Sequence, residues 1–319
     1  MSGSLTIERA GLMMTVQDAG RTGLLRYGVS ASGAMDSEAY AIANALVGNA
    51  PGAAVVEFAI VGGAVRASRD CLVAVTGGAC DLRIDTQPVP GWESHLLKAG
   101  ELLTIGAMRG AVWGHLGISG GIVTPPVLGS RATHLRTALG GLEGRALAAG
   151  DGLPLGQEPN TSRLRLGMLF RRKPGPVRIV PGPQGDYFGR DAWETFLCCP
   201  FTISTMRDRM ALMLDGPALC AAGGYDIVSD GTLAGSIQVP SSGRPIVLMA
   251  DRQTTGGYSK IATIASADLN RLTQMPSGEH IRFRRVSQDE AEEADIAARR
   301  RLETVLATLE NADTGGAVP

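Results

Sequence analysis

Short apolar runs punctuated by glycine fill most of this chain, and only a few stretches change to a helical period. Residues 5–18 read as two short strands about Ala10-Gly11, with Met14 and Val16 alternating against Thr15 and Gln17. Between Asp36 and Asn49 the period lengthens. Ala39, Ile42, Ala43, Leu46 and Val47 fall on one helical face, Asp36 or Ser37 caps the start, and Gly48-Asn49 ends it. Strand-like segments follow at 54–60, 64–67, 71–75, 81–85, 94–98, 102–105 and 111–118. Their close, even spacing predicts a barrel or sandwich and not βαβ units, with the helix lying across the sheet.

The second half repeats the style. Strands are expected at 177–180, 196–205, 212–214, 246–250, 260–265 and 281–286, with a short helix at 266–272. Gly100-Glu101, Gly150-Asp151 and Gly278-Glu279 each set a glycine and an acid before an apolar strand, a repeated hairpin entry. Ser287-Gln288-Asp289-Glu290 forms a capping box. Behind it Ala291, Ala294, Ala298, Leu302, Val305 and Leu309 make a stripe that must cover something. The pattern is mainly β with short helices, divided into an N-terminal lobe (1–160), a C-terminal lobe (161–288) and a helical tail (289–319). The division falls where residues 156–175 carry Pro, Gly and the basic run Arg171-Arg172-Lys173, read as a solvated linker.

Composition sharpens this picture. A chain of 319 residues exceeds what one core usually holds, so two domains are expected. Hydrophobic residues make up 44% and aromatics only 4%, so aliphatic side chains and Met must do the packing. Forty-three glycines without a collagen-like period fit many tight turns. Thirty basic residues against thirty-one acidic give a net charge of −1, which argues against a nucleic-acid binder. No basic leader precedes an apolar core, and no apolar run is long enough to cross a membrane, so a cytoplasmic protein is expected. Five cysteines without C-x-x-C and four scattered histidines indicate neither a disulfide framework nor a metal centre. Neither a dinucleotide-binding GxGxxG context nor a P-loop nor a G-x-S-x-G elbow occurs.

The candidate chemistry gathers in two loops. The apolar run 246–250 leads into residues 251–258, where Asp251, Arg252, Gln253, Thr254, Thr255 and Tyr258 surround Gly256-Gly257. So many side-chain hydrogen-bonding groups suit a small polar ligand, although a solvated surface loop has the same composition. In the first half, Ser130-Arg131 follows a glycine-rich loop. Its guanidinium could meet a carboxylate or phosphate two oxygens at a time, or simply bond loop carbonyls.

Seven segments carry a resemblance: TVQDAGRTG (15–23), GVSASGAMD (28–36), ANALVGN (43–49), GGI…VLGSRATH (120–134), GRALAAGD (144–151), GPQGDYF (182–188) and GSIQVPSSGRPIVLMADRQTTGGYSKIA (235–262). In this order they resemble the allophanate hydrolase subunit 2 family, which includes the C-type subunit of bacterial 5-oxoprolinase, the partner of a sporulation kinase inhibitor, and part of the carboxyltransferase domain of biotin-dependent urea carboxylase. The resemblance covers residues 11–288. It implies two cyclophilin-like β-barrel lobes, and a sister subunit of similar fold (the allophanate hydrolase subunit 1 type, or the B-type subunit of 5-oxoprolinase) together with a LamB/YcsF-type subunit. The activity it implies is ATP-dependent opening of a cyclic amide such as 5-oxoproline, by a complex in which this chain alone is inactive. The alternatives are carboxyl transfer from biotin on a carrier protein, and a non-catalytic regulatory role.

Under either chemistry Asp251, Gln253 and Thr254 are the expected catalytic groups, Asp251 orienting or accepting a proton and the other two donating hydrogen bonds. Ser130, Arg131, Gln238, Thr255, Tyr258 and Lys260 are the expected substrate-binding groups, with Arg131 holding an anion and no metal involved. One departure stands out. In RDRMALMLDG (207–216), where the resembled family tends to have Arg-Met-Gly, one residue and then Arg-Leu, Ala211 replaces the glycine and Met213 the second arginine. That puts the usual substrate in question.

Overall fold

The computed structural model describes residues 3–157 and 162–313, so the expected lobe boundary at 160/161 lies outside the described residues. The fold is mainly β with four α-helices, and its two large sheets are nearly closed and barrel-like. Two compact units emerge. The first contains Met1–Arg21, Ser32–Arg171 and Leu302–Pro319, and the second contains Thr22–Ala31 and Arg172–Arg301.

In the first unit the strands are β1 (Ser4–Gln17), β2 (Val55–Ala67), β3 (Cys71–Thr76), β4 (Ala79–Ile84), β5 (Gln87–Val89), β6 (Ser94–Leu97), β7 (Leu102–Arg109), β8 (Trp113–Ile118), β9 (Gly152–Pro154) and β10 (Leu164–Leu166). The sheet runs β5-β4-β7-β2-β8-β3-β6, with β1 joining β2 to β9. β1 and β2 are each one long strand where the pattern suggested two. Three register shifts between them absorb the irregular alternation around Ala10-Gly11 and re-aim side chains without breaking the ladder. Leu5, Val56, Phe58, Val73, Leu103, Ile105 and Leu116 fill the barrel core. Helix α1 (Ser37–Leu46) is capped as expected, Asp36 accepting the Ala39 N–H at 3.1 Å. Its apolar face, Ile42 and Leu46 with the adjoining Val47, packs on Leu72 and Ala74 of β3.

The second unit contains β11 (Val177–Pro181), β12 (Phe201–Arg207), β13 (Ala211–Asp215), β14 (Asp226–Gly231), β15 (Ser236–Gln238), β16 (Ile246–Leu248), β17 (Thr255–Tyr258), β18 (Lys260–Ile264), β19 (His280–Ile281) and β20 (Phe283–Arg285), with α2 (Arg190–Cys198) and α3 (Ser266–Gln274). Its sheet runs β19-β12-β13-β16-β15-β18-β11-β20, while β14 and β17 form a separate ribbon. Phe196 lies in α2 and not in the strand expected over 196–205. Ala192 and Phe196 form the buried face of that helix, and Phe196 stacks on Phe283 with centroids 4.5 Å apart. An aromatic cluster, invisible to strand periodicity, decides the helix here.

Helix α4 (Gln288–Ala307) starts with the expected capping box: Ser287 N–H donates to Glu290 Oε2 at 2.8 Å, and Glu290 N–H to Ser287 Oγ at 3.1 Å. Its residues through Arg301 belong to the second unit. From Leu302 onward they belong to the first, where Leu302, Val305 and Leu306 cover the α1/β3 cluster and β21 (Leu309–Asn311) pairs with β10. The repeated Gly-acid entry is a real device. Gly100, Gly150 and Gly278 all take left-handed φ, and Glu101 and Asp151 accept the N–H three residues back, from Lys98 and Ala148.

Candidate functional site

Strand register in the second unit sets out the site. Met213 on β13 pairs with Ile246 on β16, which pairs with Gln238 on β15, so the three side chains share one face of the sheet. Leu212, Val247 and Ile237, their neighbours along the strands, point the other way and are fully buried. Gln238 is 2% exposed, and its Nε2 makes no hydrogen bond among the described residues. A buried amide donor without an acceptor carries a desolvation cost, and a ligand acceptor would remove it. Its Oε1 receives Gln253 Nε2 at 3.3 Å. Gly256 is what permits this pair: a Cβ there would sit 2.3 Å from Gln238 Nε2 and 3.4 Å from Gln253 Nε2.

The β14–β17 ribbon brings the rest. Gly256 pairs with Asp230, Thr255 with Gly231 and Tyr258 with Asp226, so the second half of the polar loop is a strand and not a free turn. Lys260 pairs with Gln238 across β18 and β15. Its side chain is 2% exposed, and Nζ donates to Asp230 Oδ2 at 2.9 Å. The Lys260 N–H donates to Gln184 Oε1 at 3.2 Å. The hydrogen bond from Lys260, with a second from the Gly231 N–H, holds the Asp230 carboxyl below the ordinary aspartate range. Ser259 is fully buried beside Lys260, and its hydroxyl is a second polar atom without a partner among the described residues.

Asp251 plays a different part. Arg209 reaches both of its oxygens, Nε to Oδ2 at 2.9 Å and Nη2 to Oδ1 at 3.0 Å, with both side chains almost fully buried. The Asp251 N–H also donates to the Arg209 carbonyl at 2.8 Å. This fork orients the loop and suits an orienting carboxylate better than a proton acceptor. Arg252 is buried too, and burial lowers its pKa. Its carbonyl accepts from Ser30, and Thr232 donates its hydroxyl to the Gln253 carbonyl and its N–H to the Thr254 carbonyl. The backbone of 251–254 is therefore pinned from several sides, leaving the Gln253 and Thr254 side chains half-buried.

Ser130 and Arg131 belong to the first unit. Asp18 organises them: the Ser130 hydroxyl and the Arg131 N–H donate to its two oxygens, each at 2.6 Å, and the Gly20 N–H adds a third bond. Arg131 Nε donates to the Thr124 carbonyl at 2.8 Å. Of the two roles open to this arginine, bonding a loop carbonyl is visible. Asp18 also borders a cavity of about 380 Å³ against α1, lined by Ser32, Tyr40, Asn44 and Asn49 among others. Ser32 has a left-handed backbone (φ 54°), and its buried hydroxyl lacks a partner among the described residues. Burial, with the nearby Asp18 charge, raises the Tyr40 phenol pKa. Among the described residues no three His, Cys, Asp or Glu side chains gather as metal ligands.

Residues 27–285 match the family model described as carboxyltransferase domain, subdomain A and B. The chain belongs to this family. It is 39% identical to the C-type subunit of 5-oxoprolinase from Escherichia coli (strain K12) over 96% of this chain and 99% of that one. It is 36% identical to the corresponding 5-oxoprolinase subunit from Haemophilus influenzae, over 87% and 89%. The crystal structure of the K. lactis urea amidolyase superposes with a TM-score of 0.89 at 25% identity, covering 99% of this chain but only 20% of that much longer one.

Three groups of this candidate site escaped the sequence reading: Gln184, Arg209 and Asp230. Gln184 sits inside a recognised segment, and Arg209 is the retained first arginine of the motif altered at Ala211 and Met213, so both had a signal. Asp230 had none, since its role exists only once the ribbon places it against Lys260.

Proposed function

We propose that this chain is the C-type subunit of an ATP-dependent 5-oxoprolinase, acting in the cytoplasm with a B-type sister and a LamB/YcsF-type subunit. The observation that carries this reading is the match to the C-type 5-oxoprolinase subunit of E. coli, which runs over nearly the whole of both chains. The reaction consumes 5-oxoproline, ATP and two waters and yields glutamate, ADP and phosphate. ATP supplies the phosphoryl group that turns the lactam oxygen into a leaving group, a step that needs charge stabilisation more than a strong base.

The functional surface lies in the C-terminal lobe (161–288). There Gln238 Nε2 and the Gln253 amide donate to the lactam oxygen as it gains charge, and Lys260, held by Asp230, supplies positive potential. Thr254, Thr255 and Tyr258 border the bound ring. Asp251 is a positioning residue acting through Arg209, and Ser130-Arg131 is an anion-binding element of the N-terminal lobe (1–160). Met213, one strand from Ile246 and two from Gln238, sits where the altered motif would tune the substrate's carboxylate contact.

A second reading, carboxyl transfer from carrier-bound biotin, is favoured by the description of the family model and by the urea amidolyase superposition. Reconstitution with the partner subunits decides between them. The expected result is phosphate release that requires 5-oxoproline, is unaffected by avidin, and is absent with the isolated chain. Inhibition by avidin, with a requirement for bicarbonate, would establish the carboxylase reading instead.

A further inference from the structure

Away from that site, the second unit contains a cavity of about 320 Å³ between the segment entering β11, helix α3 and one face of α4. Five cationic side chains line it, Arg172, Lys173, Arg178, Arg271 and Arg301, against a single carboxylate, Asp268. That carboxylate is committed. Arg178 forks onto it with Nε to Oδ2 at 2.9 Å and Nη2 to Oδ1 at 2.8 Å, whereas Arg271 stands 3.8 Å away. Arg271 donates instead to the carbonyls of Gly175 and Pro176, which accept hydrogen bonds but neutralise no charge. Its Nε is buried and has no hydrogen-bond partner among the described residues. Burial, together with repulsion from Arg178, lowers the Arg271 pKa although Asp268 works against them.

Helix α4 shapes the space. Ala294, Ala297, Ala298 and Arg301 form its lining face, three methyl side chains leaving room beside one guanidinium. Two carboxylates of α4, Glu292 and Asp295, border the neighbouring groove, where Asp295 pairs with Arg299. The basic run at 171–173, which reads from sequence as a linker, thus supplies two of the five cations that line this cavity.

We propose that this cavity binds a small anion bearing two or more phosphate charges, the oligophosphate of a nucleotide or free pyrophosphate. A fork of guanidinium groups matches phosphate oxygens in pairs, and the volume lies at the small end of ligand pockets. Binding is read directly, without turnover, so its outcome is separate from that of the lactam reading.

The test is calorimetric titration of the full-length protein at low ionic strength with pyrophosphate, ATP and adenosine. Pyrophosphate and ATP should bind, adenosine should not, and added salt should weaken both. ATP tighter than pyrophosphate identifies a nucleotide site; equal affinities identify a free oligophosphate site. Lys173→Glu reverses an exposed charge at the rim, and Ala298→Leu fills the cavity from the helix side. Each should weaken binding at least about tenfold, with far-ultraviolet circular dichroism unchanged. Undiminished affinity in both variants, no heat from pyrophosphate at millimolar concentration, or binding only of an acidic protein partner would overturn the proposal.

Discussion

At Asp251 and Arg209 two opposite charges lie inside the protein, 5% and 2% exposed, and share a bidentate contact. Removing one partner leaves the other buried and unbalanced, so Asp251→Ala should destabilise the protein by about 3–5 kcal/mol. Chemical unfolding checks this, and the double replacement of Asp251 and Arg209 by alanine should cost less than the sum of the single changes. Gly256 makes the opposite case. A methyl group there meets the Gln238 amide at 2.3 Å, and that amide can swing away. Gly256→Ala should therefore leave the melting temperature nearly unchanged while lowering kcat/KM of the reconstituted complex by about tenfold or more. Met213→Ala removes a side chain on the Gln238 face and none from the core, so it should move KM more than kcat.

The helices divide between those explained by local rules and those explained by contacts. α4 begins on a reciprocal pair of hydrogen bonds between Ser287 and Glu290, so Ser287→Ala should cost about 1 kcal/mol. A thermal melt of that variant against the parent protein measures it. α2 has no side-chain cap, starting from Gly189, and depends on Phe196, which stacks on Phe283 and meets Phe201 edge to face. The β1–β2 pair shows a third case, in which bulges keep one long ladder intact across a stretch whose alternation fails.

Across the whole molecule, ion pairs set a common dependence on pH. Burial alone would push the Asp268 carboxyl up, but hydrogen bonds from the Arg178 side chain and N–H hold it below the usual range, and Lys260 does the same for Asp230. A carboxyl whose folded pKa is depressed contributes stability that is complete above its unfolded pKa, about 3.9, and is lost as pH falls through the folded value. Unfolding midpoints should thus be flat near neutrality and fall in acid, and Asp268→Asn should lose less between neutral and acid pH than the parent does. Denaturant titrations at the two pH values test both statements.

What the sequence determined by itself was local and periodic. The α1 face and a cap at Asp36 or Ser37, the capping box of α4, the Leu302 and Val305 part of a stripe whose expected end, Leu309, lies in β21, and the mainly β character follow from spacings within a few residues, because caps and amphipathic faces are short-range properties. The segments resembling a known family carried the chain to its relatives for a similar reason: a run such as 235–262 is specific as written. The tertiary structure alone decided which polar groups meet. Lys260 finds Asp230 thirty positions away, and Gln238 meets Gln253 where the ribbon strand at Gly256 leaves room beside the sheet. Asp251, an acid in a loop when read along the chain, becomes the buried partner of an arginine from another hairpin. The linker-like Arg172-Lys173 likewise becomes the wall of a cationic cavity once α3 and α4 pack beside it. Pairing between distant segments depends on strand register and burial, and neither is written in any one stretch of sequence.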